Sequence, residues 1–345
     1  MNRSLNKYAI AVAAGLGAAL ALGSAVPAQA QGWEPKQPIE FVIQTSPGGG
    51  SDQYARYWIG IIEKYKLSPQ PIIPVNKPGG AGAVSLAYLA AKKGDPHYIS
   101  PTLNSIITTA LLQKIPVMYP SEDLTPIALM MIDPFLLVVN PEKYKDFDAF
   151  QAACKKDRLT SVGTGSKSED EIQILMMQNA FGCQPFRYVP AKGGGDVAAQ
   201  VAGGHADFNV NQPSEMLPHY PQRLIPIMSF QKERPTEFKD AVTHHEKKIN
   251  GKWGALLDLD TGLHQMRGII GAPDMPKEAV DWYVNLFKKV YETQEWKDFM
   301  KKGAMVPQFL GPDEYKKFLI NFENNHVEVM RDVIKWDLRD DLRKR

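Results

Sequence analysis

Ile39-Glu40-Phe41-Val42-Ile43 is followed by Gln44-Thr45 and then by Ser46-Pro47-Gly48-Gly49-Gly50-Ser51-Asp52. A short apolar run closed by Pro and Gly reads as a buried strand entering a sharp turn. From Asp52 to Lys64 the spacing becomes helical, with Tyr54, Trp58, Ile61 and Ile62 on one side. The same unit recurs. Pro71 to Val75 reads as a strand, Asn76-Lys77-Pro78-Gly79-Gly80 as a turn, and Gly82 to Lys92 as a helix. Apolar runs follow at Ile127–Ile132 and Phe135–Val139, then at Leu159–Val162, Phe186–Val189, Phe208–Val210 and Leu224–Phe230. Strands alternating with helices predict an α/β fold with largely parallel sheet. The C-terminal third predicts two long helices, Pro276 to Lys302 and Pro312 to about Asp337, each opening on a Pro at the first helical position.

The chain has 345 residues, 44% of them hydrophobic and 23% charged, the balance of a globular protein of roughly two domains. Residues 1–30 carry Arg3 and Lys7, then an uncharged run from Tyr8 to Leu22, then Pro27 and Ala28-Gln29-Ala30. That order predicts a secretory signal peptide cleaved after Ala30, against the alternative of an uncleaved anchor. With it the chain counts 40 basic and 38 acidic residues; Arg3 and Lys7 account for the excess, so the mature chain balances. A neutral body with interleaved charges is no footprint for nucleic acid. Two cysteines exclude a disulfide scaffold and a Cys-rich zinc site. In an oxidising compartment Cys154 and Cys183 either pair or remain buried thiols.

Three Gly-rich turns stand between strand and helix: Thr45 to Asp52, Gly163-Thr164-Gly165-Ser166-Lys167-Ser168, and Ala191-Lys192-Gly193-Gly194-Gly195-Asp196. Glycine admits close approach of a ligand, and helix N-termini leave backbone N–H groups for an anion. Such turns lie at the carboxyl edge of a parallel sheet, where ligands bind. None contains Gly-Lys-Ser/Thr, and Gln53 breaks a dinucleotide fingerprint, which leaves a small carboxylate as the simplest guest. No catalytic set emerges: His245-Glu246 lacks a second His, and Ser229-Phe230-Gln231-Lys232 lacks its companion motifs. Asp258 and Asp260 read as solvated loop acids. His244 and His245 are expected to point apart on a helix, so no metal site and no cofactor are expected.

Several segments resemble the solute receptors of tripartite tricarboxylate transporters, also called Bug-type receptors. Pro38 to Asp52 with Arg56 is similar to their P-I-x-x-V-x-x-x-P-G-G-x-x-D-x-x-x-R opening. Val75 to Gly82, Asp123 to Ala128, Val162 to Ser166, Val189 to Gly194, Gly204 to Asp207, Asn211 to Leu217, Gly271 to Pro273 and Pro276 to Glu278 resemble further blocks, in order along nearly the whole mature chain.

The resemblance implies a two-lobed, type II-like periplasmic binding protein that closes on its ligand like a flytrap. Each lobe would be a mostly parallel sheet flanked by helices. It places 31–134 and 253–345 in lobe one and 135–252 in lobe two. It implies a non-enzymatic, monomeric receptor that hands a di-, tri- or aromatic carboxylate to membrane subunits of the transporter. Carried onto this chain, the ligand set is Ser46, Gly48, Gly49, Ser51 and Asp52 from the first turn, Asn104 and Ser105 from a loop, and Gly163, Thr164 and Ser166 from the second turn. Two positions depart from the pattern: Ala191 stands for a Tyr, and Asn211 for a frequent acid. With no acid for a ligand ammonium and room beside Ala191, a carboxylate without an amine is expected. The competing readings are a receptor for another transporter class, a sensor, and a periplasmic enzyme on the same fold.

Overall fold

The structure is a computed structural model and describes residues 32–47, 50–258 and 263–344. The signal peptide and its cleavage site lie outside the described residues, as do Gly48, Gly49 and Asp260. From Glu34 onward the chain forms one compact unit.

The first stretch of chain runs β1 (Ile39–Ile43), α1 (Gly50–Lys64), β2 (Ile72–Asn76), α2 (Ala83–Ala90), β3 (Tyr98–Pro101), α3 (Ser105–Leu112), α4 (Pro120–Asp123) and β4 (Thr125–Asp133). The middle runs β5 (Leu136–Val139), α5 (Phe147–Lys156), β6 (Thr160–Thr164), α6 (Glu169–Phe181), β7 (Arg187–Ala191), α7 (Gly194–Ala202), β8 (Phe208–Asn211), α8 (Pro213–Met216), β9 (Ile225–Ser229) and β10 (Val242–Thr243). The chain ends with α9 (Gly251–Leu257), β11 (Gln265–Gly271), α10 (Lys277–Glu292), α11 (Gln294–Lys302), β12 (Val306–Leu310) and α12 (Pro312–Glu328).

These strands build two six-stranded sheets, ordered β12-β4-β11-β3-β1-β2 and β10-β9-β5-β8-β6-β7. The fold is two-lobed α/β, as expected. Each sheet is mixed: β1 pairs in parallel with β2 and β3, while β11 runs antiparallel to both β3 and β4. In the second sheet β5 alone runs against its neighbours β8 and β9. The chain leaves the first sheet at Asp133 and enters the second at Leu136; it is still in the second at Thr243 and is back in the first at Gln265.

Strand β1 is apolar at every position but Glu40, and Ile39, Phe41, Val42 and Ile43 are all fully buried. Phe41 stacks on Trp58 of α1 with ring centroids 6.2 Å apart, and Trp58 meets Phe287 of α10 edge-on at 6.0 Å. Burying side chains of this size contributes roughly 2–3 kcal/mol each. Leu136, Leu137, Val138 and Val139 of β5 are likewise fully buried.

Four local expectations need correction. The helix read as Pro276 to Lys302 is two helices, because Thr293 turns extended and its hydroxyl accepts from Trp296 N to cap α11. Pro276 is the residue before α10, not its first. The helix read as reaching Asp337 stops at Glu328, beyond which 329–333 widen into a π turn. His244 and His245 sit in a turn after β10, not on a helix, and their ring centroids are 4.0 Å apart. The 100° separation of helical neighbours does not apply to a turn. Cys154 and Cys183 are joined in a disulfide that ties α5 to the segment after α6.

Candidate functional site

A cleft of about 890 Å³ opens between the two sheets. Its walls come from the carboxyl ends of β1, β6, β7 and β8, the edge where parallel strands release their loops. At β1 the chain is pinned as it leaves the sheet: Gln44 Nε2 donates to Ser100 Oγ at 2.9 Å and to Pro101 O. The next residues, Thr45 and Ser46, face the cleft together with Ser51 and Tyr54 of α1. The Thr45 and Ser51 hydroxyls are buried and have no hydrogen-bond partner among the described residues. Buried hydroxyls without partners are costly, so a ligand that supplies polar atoms here offsets that cost.

The floor carries a charge that the sequence reading missed. Arg267 of β11 lines the cleft, and its Nη2 donates to Asp133 Oδ2 at 3.1 Å. Tyr54 Oη donates to the same oxygen at 2.9 Å, and its ring lies 4.5 Å from the guanidinium carbon. Arg267 Nε and Asp133 Oδ1 make no hydrogen bond. Burial pushes Asp133 above the usual carboxylate range, against the pull of Arg267 and Tyr54. Burial also opposes the Arg267 charge, but Tyr54, Asp133 and Glu215 outweigh it and hold the side chain cationic. A guanidinium with spare donors on the floor of a polar cleft can take a carboxylate in a two-point grip.

The facing wall is acidic. Asp170 Oδ2 accepts from Thr164 N at 2.7 Å, so the amide that begins the second Gly-rich turn is already capped by the protein. Gly165 N donates to Ala191 O at 3.0 Å, and Lys167 N to Glu171 Oε2 at 2.6 Å. Three of the amides expected to await an anion at this turn are therefore engaged by the chain itself. Burial raises the Asp170 carboxyl to about 6. Glu215 of α8 lines the same wall, and burial, followed by Asp170 and Asp133, raises it to about 8. Gly194 is needed for this arrangement: a Cβ there would lie 2.0 Å from the Glu215 carboxyl. Gly163 is needed for packing too, since a Cβ there would meet Asp170 at 2.6 Å and Tyr188 at 2.7 Å.

Of the residues singled out from sequence, the structure brings Ser46, Ser51, Ser105 and Thr164 together on the cleft wall. Asp52 is buried elsewhere, held by Arg56 Nε and Asn76 Nδ2 at 2.9 Å each. Asn104 does not line the cleft; it precedes α3, donates to His264 O and accepts from Met266 N at 3.0 Å each. It thereby fixes the strand that presents Arg267. Gly163, Ser166, Ala191 and Asn211 do not line the cleft. Ser166 is exposed, and Asn211 is buried with its Oδ1 accepting from Gln212 N. The acid absent at Asn211 is supplied four residues on by Glu215. Arg267 had one visible signal, a lone charge inside the apolar run Met266-Arg267-Gly268-Ile269-Ile270.

Residues 62–332 match the family described as the tripartite tricarboxylate transporter family receptor. A Cupriavidus necator protein of the gbd 5′ region is 25% identical over 314 residues, covering 88% of this chain and 91% of that protein. BugT of Bordetella pertussis is 25% identical over 237 residues, covering 65% and 69%. Among solved structures, the periplasmic binding protein BugD superposes with a TM-score of 0.72 at 18% identity, over 86% of this chain and 97% of BugD. MatC from Rhodopseudomonas palustris with bound malate gives 0.71 at 18%, over 86% and 99%. At such identities the structural likeness shows the fold alone, whereas the family match spans most of the sequence. The chain belongs to the receptor family of tripartite tricarboxylate transporters.

Proposed function

We propose that this receptor captures a small organic carboxylate in the cleft between its lobes and presents it to the membrane subunits of its transporter. Lobe one is 31–134 with 253–345, and lobe two is 135–252. Export through a signal peptide cleaved after Ala30 puts the mature, monomeric, non-catalytic protein in the periplasm. The observation that carries the reading is the buried Arg267 guanidinium, which lines a cleft also lined by the hydroxyl-bearing Thr45, Ser46, Ser51 and Ser105. Donors of this kind replace the hydration of a carboxylate as the lobes close. The relative solved with malate and an R. palustris protein solved with adipate support a dicarboxylate.

A second reading, a carboxylate that also bears an amine, is favoured by Glu215 and Asp170 on the facing wall. The expectation of an amine-free ligand rested on Asn211, which does not face the cleft. A thermal-shift and calorimetric screen against mono-, di-, tri- and aromatic carboxylates and amino acids tests both. A carboxylate that raises the transition by mass action supports the function. If no carboxylate shifts it, the function is wrong; if only amine-bearing ones do, the second reading stands.

A further inference from the structure

His244, His245 and Asp258 offer three metal-ligating atoms that all lie within 4.8 Å of one another, away from the cleft. We propose that they form a site for a divalent transition cation of the zinc class. The site lies on the stretch of chain between the last strand of the second sheet and the return to β11.

The geometry suits such an ion. His245 Nε2 is 2.9 Å from Asp258 Oδ2, and His244 Nε2 is 3.9 Å from the same oxygen. Metal–ligand bonds of about 2.0–2.2 Å in a tetrahedral array put neighbouring donors roughly 3.3 Å apart, between those two distances. His244 is fully buried, yet neither of its ring nitrogens has a hydrogen-bond partner among the described residues.

The adjacent Glu246 is turned away from the cluster, its carboxylate accepting from Arg234 and from Thr243 N. His245 is 43% exposed, which opens the site to solvent. Two imidazoles and one carboxylate are borderline donors that favour zinc, copper or nickel over calcium or magnesium, and three protein ligands leave a fourth position for water. A bound ion would join the turn after β10 to the end of α9.

The test uses tag-free mature protein, stripped with chelator and titrated with zinc and with cobalt. Expected are one equivalent of zinc, a raised melting transition, and a tetrahedral cobalt absorption band. His245→Ala and Asp258→Asn should each weaken zinc by more than about tenfold. His219→Ala should bind like the parent. His244→Ala is avoided because that ring is core, whereas the exposed His245 can be truncated without loss of fold. No stoichiometric zinc binding, or equal affinity in His245→Ala and the parent, would overturn the site.

Discussion

The Arg267 guanidinium stands 3.1 Å from the Asp133 carboxylate across two antiparallel strands. Register explains the meeting: Asp133 lies opposite Gln265, so Arg267, two residues on, is its diagonal neighbour on the same face. Neither charge could be buried alone at tolerable cost.

Arg267→Ala should therefore lose ligand and also destabilise the fold by about 3–5 kcal/mol, because Asp133 is left buried and unpaired. Pairing Arg267→Met with Asp133→Asn should restore much of that stability and none of the carboxylate affinity. Chemical denaturation and calorimetric titration measure the two effects. Retained affinity in the double variant would move the anion anchor elsewhere.

Glu215 makes stability fall with rising pH. Its folded pKa is about 8, above the ordinary value of 4.5 in the unfolded chain, so the folded state holds the proton more tightly. Stability is full below about pH 4.5 with respect to this group and declines until about pH 8. Glu215→Gln should flatten that decline and raise the melting transition of the free protein at pH 8. An unchanged pH profile would show that the carboxyl is not buried as described.

The same group separates the two ligand classes. A dicarboxylate approaching Glu215 favours its protonated form, so affinity should fall above about pH 8. An amine-bearing carboxylate favours the ionised form, so its affinity should rise over the interval where the amine stays charged. Titration calorimetry at several pH values, with Glu215→Gln as control, reads the sign directly.

The disulfide should be a plain stabiliser. Closing a loop with a sequence separation of 29 contributes about 3–4 kcal/mol in the chain-entropy account. Replacing both Cys154 and Cys183 with Ser should lower the melting transition by roughly 5 °C and leave ligand affinity intact. A change in affinity would mean that the link between α5 and the end of α6 also shapes the second Gly-rich turn.

Glu169 should hold the two lobes together. It begins α6, lines the cleft, and reaches both Thr108 of α3 and His326 of α12, the latter at 3.2 Å. Removing the reach with Glu169→Ala should expand the free protein in small-angle scattering, and saturating ligand should narrow the difference. Equal dimensions with and without the side chain would assign Glu169 a purely local role.

The alternation of apolar strand, Gly-rich turn and amphipathic helix is a local property of the chain, and local periodicity alone announced the α/β fold and the hydroxyl-bearing turn from Thr45 to Ser51. The same periodicity marked the turns that hold Ser46, Ser51 and Thr164, because residues just after a strand fall at the sheet's carboxyl edge, while the resemblance to the receptor family named those residues individually. It could not announce β11 as the neighbour of β4, since that pairing joins residues more than a hundred positions apart. Only the tertiary structure placed Arg267 against Asp133, set Glu215 beside Gly194, and turned His244 and His245 toward Asp258. Each of those depends on which strands become neighbours and on what burial does to a charge once they have.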